Sequence, residues 1–261
     1  MDLGISGRSA IVTGGSLGIG RAIAAELARN GVRVVVAARD APRLEQAAKD
    51  LSAETGGRVV PIPCNMSKAQ DILRMVDAAR EALGQIDILI NNAGACPVGR
   101  IHELTDEQWH SSFDLKLMGY VRCARAVLPE MRERKWGRII NIVGRGAEIA
   151  TPGYLLGAFN AALLHFSRAL ALETARDKVL VNAVNPGATN TPRWHAIVAQ
   201  KASASGRTAQ EVEAQWHASV PLGKAAEPED VANMVVFLCS ERARHLAGAS
   251  FNVDGGGAAG V

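Results

Sequence analysis

The chain has 261 residues, 48% of them hydrophobic and 4% aromatic, with a formal net charge of +3. That is enough for one large domain with a core of Ala, Val, Leu and Ile, and the mild charge, with acids and bases interleaved, argues against a nucleic-acid partner, for which a basic stripe is expected. Cys64, Cys96, Cys123 and Cys239 are scattered without a CxxC pair or metal-ligand spacing, which points to reduced thiols, no metal and a cytoplasmic protein.

No basic-then-apolar signal pattern opens the chain, and no apolar run approaches the roughly 18 residues of a membrane span. The first strand is expected at SAIVTG (9–14), followed by TGGSLGIG (13–20) and a helix over 17–30 that closes at Gly31. Within that turn Gly14 permits the tight bend, Gly18 lets the main chain approach a pyrophosphate, and Gly20 allows close helix–strand packing. Free N–H groups and the positive dipole end at the helix start then face the phosphates. Ser16, Leu17 and Ile19 sit among these glycines as further candidate contacts.

Strands are expected next at RVVVAA (33–38), RVVPIPC (58–64), IDILINN (86–92), RIINIV (138–143), VLVNAVNP (179–186) and SFNVDG (250–255). Their near-continuous apolarity predicts burial on both faces, as in a parallel sheet. Helical stretches such as 41–54, closing at Gly56, lie between them. This alternation predicts a single doubly wound α/β domain over 1–261, because parallel neighbours need crossover helices. The stretch 192–226 is polar, helical in places and without a strand. An insertion near the carboxyl ends of the strands reads there as a lid over the ligand crevice.

TGxxxGxG after the first strand, NNAG (91–94) after the fourth, NPG (185–187) after the sixth and VDGG (253–256) after the seventh together resemble the short-chain dehydrogenase/reductase family, from about Gly7 to Gly256. The resemblance implies a seven-stranded Rossmann-type sheet with helices on both faces, a bound nicotinamide dinucleotide, a small-molecule substrate and usually a homotetramer. A stripe of Phe113, Leu117, Tyr120 and Ala124 is compatible with a helix interface for such an assembly. It also implies dinucleotide contacts at Asn92, Ala93, Gly94, Pro186, Gly187, Thr189 and Thr191, the last matching a threonine that holds the carboxamide. Asn65 and Met66, in CNMS (64–67), fall at the adenine position, where the Asn65 amide oxygen stands in for the usual acid.

The second strand ends AARD (37–40). An NAD site places an acid at the strand's last position; Ala38 stands there, and the guanidinium of Arg39 suits a 2′-phosphate. NADP(H) is therefore favoured over NAD(H), with Asp40 turned outward or capping the next helix.

At the chemical end the family pattern calls for an asparagine, a serine, a tyrosine and a lysine, the lysine lowering the pKa of a phenol that is otherwise a poor base at neutral pH. Here Lys116 stands in KLMG (116–119), Gly144 closes NIVG (141–144), and Leu156 and Asn160 stand in LGAFNAAL. Sliding the alignment to Tyr154 places Ala158 four residues on, so neither register gives YxxxK. Three readings stay open. In one, Lys116, Tyr154 and Asn160 form a rebuilt oxidoreductase site, with Arg145 and Glu148 as other proton-handling candidates. In another, the chain binds the nucleotide without turnover; in the third, it does non-redox chemistry. His165 reads as a packed helix residue, Cys96 as packing, and Trp194, His195, Trp216 and His217 as lid residues lining an apolar substrate site.

Overall fold

The β-branched runs build a sheet that leaves its central strands no face for water. The computed structural model describes residues 2–94, 97–151, 153–154 and 157–257. Its seven strands are β1 (Ser9–Thr13), β2 (Arg33–Ala38), β3 (Val59–Pro63), β4 (Ile88–Asn91), β5 (Gly137–Ile142), β6 (Val179–Pro186) and β7 (Ser250–Val253). They pair in parallel in the order β3-β2-β1-β4-β5-β6-β7. Every residue of β1, β4 and β5 is buried, whereas β3 and β7 at the edges are only partly covered. That difference explains why the central runs read as continuous apolarity.

Helices α1 (Gly18–Arg29), α2 (Ala41–Thr55), α3 (Ala69–Leu83), α4 (Asp106–Ser112), α5 (Gly119–Glu133), α6 (Gly157–Thr174), α7 (Pro192–Ser205), α8 (Ala209–Ala218) and α9 (Pro228–Cys239) complete the chain. Alternate strand residues sort into two cores. Ala10, Val12, Val34 and Val36 pack with α1, α2 and α9, while Ile11, Val35 and Leu89 pack with α3, α5 and α6. The period of two along each strand sends successive side chains to opposite helical layers. This is the doubly wound Rossmann-type domain that the alternating pattern predicts. The order reverses between β1 and β4, which opens a crevice at their carboxyl ends.

At the opposite, amino-terminal end of the strands, Trp136 lies between two guanidinium groups, Arg8 at 3.8 Å and Arg138 at 4.4 Å from the ring centre. Its indole N–H donates to Glu241 (2.7 Å), which also pairs with Arg138 at 3.3 Å. Burial holds the Arg138 guanidinium below the usual arginine range, and Glu241 opposes that shift. No described helix is long and apolar enough to cross a membrane.

Candidate active site

The end of β1 and the start of α1 are bound to the end of β4 through main-chain and hydroxyl groups. Thr13 Oγ1 accepts from the N–H groups of Asn92 (2.9 Å) and Ala93 (3.0 Å). The Asn92 amide donates to the carbonyls of Thr13 (3.0 Å) and Gly14 (3.3 Å). Gly14 has φ +68°, and a Cβ there would lie 2.8 Å from the Asn92 amide nitrogen; a Cβ on Gly20 would collide with the Gly14 carbonyl oxygen. Close approach therefore requires glycine at both places. At the N-terminus of α1 no side chain caps the first turn and no acid occupies it, leaving its N–H groups for an anion.

A cavity of about 500 Å³ opens over this turn, and its lining includes Gly14, Leu17, Gly18, Ile19, Gly20, Arg39, Met66, Asn92, Ala93, Gly94, Pro186, Gly187, Thr189 and Thr191. Arg39 is exposed at the mouth. Its neighbour Asp40 accepts from the Arg43 N–H at 3.1 Å and pairs with the Arg43 side chain at 3.4 Å, capping α2 as expected. Cys64 also lines the cavity; burial, aided by Asp71, pushes its thiol up to about 12, so it is a wall and not a nucleophile.

Two expected contacts fall outside this lining. Ser16 lies on the turn without facing the cavity. Asn65 turns its Oδ1 back to accept the Ser67 N–H at 3.1 Å. The oxygen expected to meet adenine thus forms an Asx turn, which uses one of its two lone pairs. Lys68, the residue at the start of α3, makes no side-chain cap, and its N–H donates to the Asn65 carbonyl at 2.9 Å.

The chemical end rests on an irregular helix. Between α4 and α5 the chain forms a π-helical turn, Phe113–Met118, a widening frequent at functional sites. Lys116 on this turn is only 7% exposed, its stem lies against Gly94, and its Nζ donates to the Val143 carbonyl at 2.7 Å. It lines the same cavity as Tyr154 and Gly144. Gly144 has φ +112°, a conformation that disfavours any side chain. Asn160, on the first turns of α6, is 1% exposed and donates from Nδ2 to the Tyr154 hydroxyl at 3.4 Å. Its Oδ1 is buried without a hydrogen-bond partner. The structure therefore brings Lys116, Tyr154 and Asn160 to one end of the crevice. Leu156 and Cys96 lie outside the described residues.

Other candidates are engaged elsewhere. Arg145 donates to the Gly257 carbonyl at 3.1 Å, and Glu148 accepts from Asn185 (3.3 Å) and Asn252 (3.0 Å). His165, expected to be packed, is exposed, because the outer face of α6 turns it away from the sheet. Of the four aromatic and histidine residues expected over the substrate, Trp194 alone lines the cavity among the described residues. Trp216 packs edge-on against Trp194, with centroids 4.4 Å apart, and fastens α8 to α7; His195 is exposed. Leu115, Val143, Arg193 and Ile197 also line the cavity. Position beside a recognised motif was the only signal for them in the sequence. Thr191 caps α7 by accepting from the Trp194 N–H at 3.2 Å.

Known proteins carry the same architecture. The family described as enoyl-(acyl carrier protein) reductase matches residues 14–257. The chain is 36% identical to L-sorbose reductase from Gluconobacter frateurii, solved with NADPH and L-sorbose, with a TM-score of 0.94 and 100% of both chains covered. Actinorhodin polyketide ketoreductase, solved with NADPH, is 34% identical with a TM-score of 0.92, over 95% of this chain and 96% of that one. The 2,3-dihydro-2,3-dihydroxybenzoate dehydrogenase of Bacillus subtilis is 32% identical over 99% of this chain and 98% of its own length. With the sheet order, the glycine turn and the three other strand-end motifs in place, the chain belongs to the short-chain dehydrogenase/reductase family of oxidoreductases.

Proposed function

We propose that the chain is an NADP(H)-dependent oxidoreductase that interconverts a small carbonyl compound and its alcohol through a rebuilt site. The carrying observation is that the glycine turn, Arg39, Lys116 and Tyr154 all line one crevice. The dinucleotide fits this chain on the structure's own terms. Gly14 and Gly20 let the turn close tightly against Asn92 with no side chain in the way, and α1 starts uncapped, so its first N–H groups are left for an anion. Ala38 lacks the acid of an NAD site while Arg39 supplies a cation for a 2′-phosphate. The solved relatives with NADPH support the same choice.

In this reading Gly14, Leu17, Gly18, Ile19 and Gly20 cradle the pyrophosphate, and Met66 borders the adenine. Asn92, Ala93 and Gly94 border the ribose, and Pro186, Gly187, Thr189 and Thr191 the nicotinamide. The bound dinucleotide supplies or takes up the hydride. The Asn160 amide oxygen accepts a ribose hydroxyl. Lys116, an ammonium with three donors, supplies the cation that position 160 lacks, and Tyr154 exchanges the proton with the substrate oxygen. The segment 192–226, with Trp194 and Ile197 facing inward, closes over the substrate as a lid. A cytoplasmic homotetramer completes the reading.

The test is turnover of NADPH across a panel of carbonyl compounds, followed by loss of its absorbance. Oxidation with at least one carbonyl is expected. Tight NADPH binding with no turnover on any would favour a binding protein without catalysis.

A further inference from the structure

We propose that Trp216 sets the upper size of the substrate without touching it: it is a fixed backstop that holds the Trp194 ring forward in the crevice. The proposal rests on the reading of that crevice as the site of a carbonyl substrate.

The lid has a core of its own. Trp194, Val198 and Ala202 on α7 pack with Val212 on α8, and Ala188 and Trp216 close the cluster. Trp194 belongs to this core and to the crevice at once, for it lines the cavity and is only 5% exposed. Its ring meets that of Trp216 edge-on, with an interplanar angle of 74°. Among the described residues, Trp216 is not part of the cavity lining. Seen from the crevice it stands behind Trp194, and the Lys201 ammonium covers it 4.4 Å from the ring centre. An edge-to-face partner and a cation over the ring both favour one orientation of the indole.

Trp216 is a backstop because of where α8 ends. Ser219 closes the helix, donating to the Trp216 carbonyl from its N–H at 3.0 Å and from its hydroxyl at 2.7 Å. The chain then lies directly on the VDGG turn that follows β7. The Leu222 N–H donates to the Gly255 carbonyl at 3.1 Å. A Cβ on Gly255 would lie 2.7 Å from Val220 Cγ1, and one on Gly256 would lie 3.3 Å from Pro221 Cγ. With φ at +62°, Gly255 combines a left-handed backbone with a close approach, which only glycine allows. The turn is itself braced against the crevice wall, since a Cβ on Gly187 would lie 2.6 Å from Asp254 Cβ. Trp216 is therefore mounted, within a few residues, on the end of the sheet. The VDGG glycines, which make no dinucleotide contact in the reading above, serve that mounting.

The consequence is steric. Interiors are close-packed, so a ring with an aromatic behind it cannot recede when a bulky substrate presses on it. With a small residue at position 216 the Trp194 indole can sink into the space released, because the surroundings of a large-to-small substitution relax toward the gap. The crevice then deepens. Contact with substrate is made on α7, but its limit is set on α8, and Trp216 is a positioning residue that acts through Trp194.

The test compares cyclohexanone with its two-ring counterpart decalone, each reduced by the full chain with NADPH. The ratio of kcat/KM, large ketone over small, is expected to rise about tenfold in Trp216→Ala. Trp216→Leu is read in its place if Trp216→Ala does not fold. Trp194→Ala should raise the ratio by itself, and adding Trp216→Ala to it should raise it no further. A general loosening of the lid would instead lower both ketones together. An unmoved ratio in the folded Trp216 variant, or effects that add in the double variant, overturns the proposal. A second measurement needs no turnover: calorimetric binding of decalone to the chain without dinucleotide should be tighter in Trp216→Ala than in the wild type. Equal binding, or none to either, overturns the proposal. Tighter binding with no turnover of any carbonyl overturns instead the oxidoreductase reading and leaves the size limit standing.

Discussion

At the scale of single residues, the placement of residues along the crevice was legible where it depends on immediate sequence neighbours. Gly14, Gly18 and Gly20 are placed by a turn, and Arg39 by the end of a strand. It was illegible where placement depends on how the backbone folds a side chain back onto a near neighbour. Nothing in LGAFNAAL says that Asn160 meets Tyr154, and nothing in CNMS says that the Asn65 oxygen accepts from Ser67. Arg39 carries a clear prediction. Arg39→Ala should weaken NADPH about tenfold or more, the loss of a charge-assisted phosphate contact, and change NADH affinity less than about twofold. Equal losses in a binding titration would contradict the 2′-phosphate assignment. Lys116→Ala should lower kcat at least about tenfold, near 1.4 kcal/mol of barrier, in the NADPH assay. An unchanged rate would remove Lys116 from the chemistry.

Elements show a different division. Helix and strand periods located all seven strands within a residue or two, because buried runs and glycine stops are local properties. The π-helical turn at Phe113–Met118 was not visible, since one widened turn leaves the apolar stripe intact on either side. That stripe divides in the structure: Tyr120 and Ala124 face the core, while Phe113 is 38% exposed and packs edge-on with Phe159. The α7–α8 pair allows a prediction on pH. Glu211 accepts from the Thr208 backbone N–H (2.8 Å) and hydroxyl (2.9 Å), and these bonds hold its carboxyl below the usual range. A carboxylate with a lowered folded value stabilises above the ordinary glutamate pKa and loses that contribution as pH falls through the folded value. Hydrogen exchange should therefore show α8 opening faster as pH falls below the ordinary glutamate range, and Glu211→Ala, which removes the acceptor, should bring that faster exchange to neutral pH.

For the whole molecule, the doubly wound parallel sheet followed from the alternation of elements, and its burial on both faces from the near-continuous apolarity of the strands. The contacts that join distant ends of the chain were not foreseeable, because Trp136 and Glu241 are 105 residues apart. Trp136→Ala removes the ring between Arg8 and Arg138 and the donor to Glu241. We expect a loss of about 3 kcal/mol, read as a fall in Tm of about 6–12 °C, with NADPH affinity unchanged. A matching loss of affinity would mean that the two ends of the sheet are mechanically coupled. Chemistry at one end of the strands and cohesion at the other give this protein two separate accounts in evolution. Substitutions that tighten the Trp136 clasp leave the crevice geometry alone, and the stability gained there widens the range of residues the crevice can sample. Laboratory selection for new substrates would therefore begin most productively at the end of the sheet that no substrate touches.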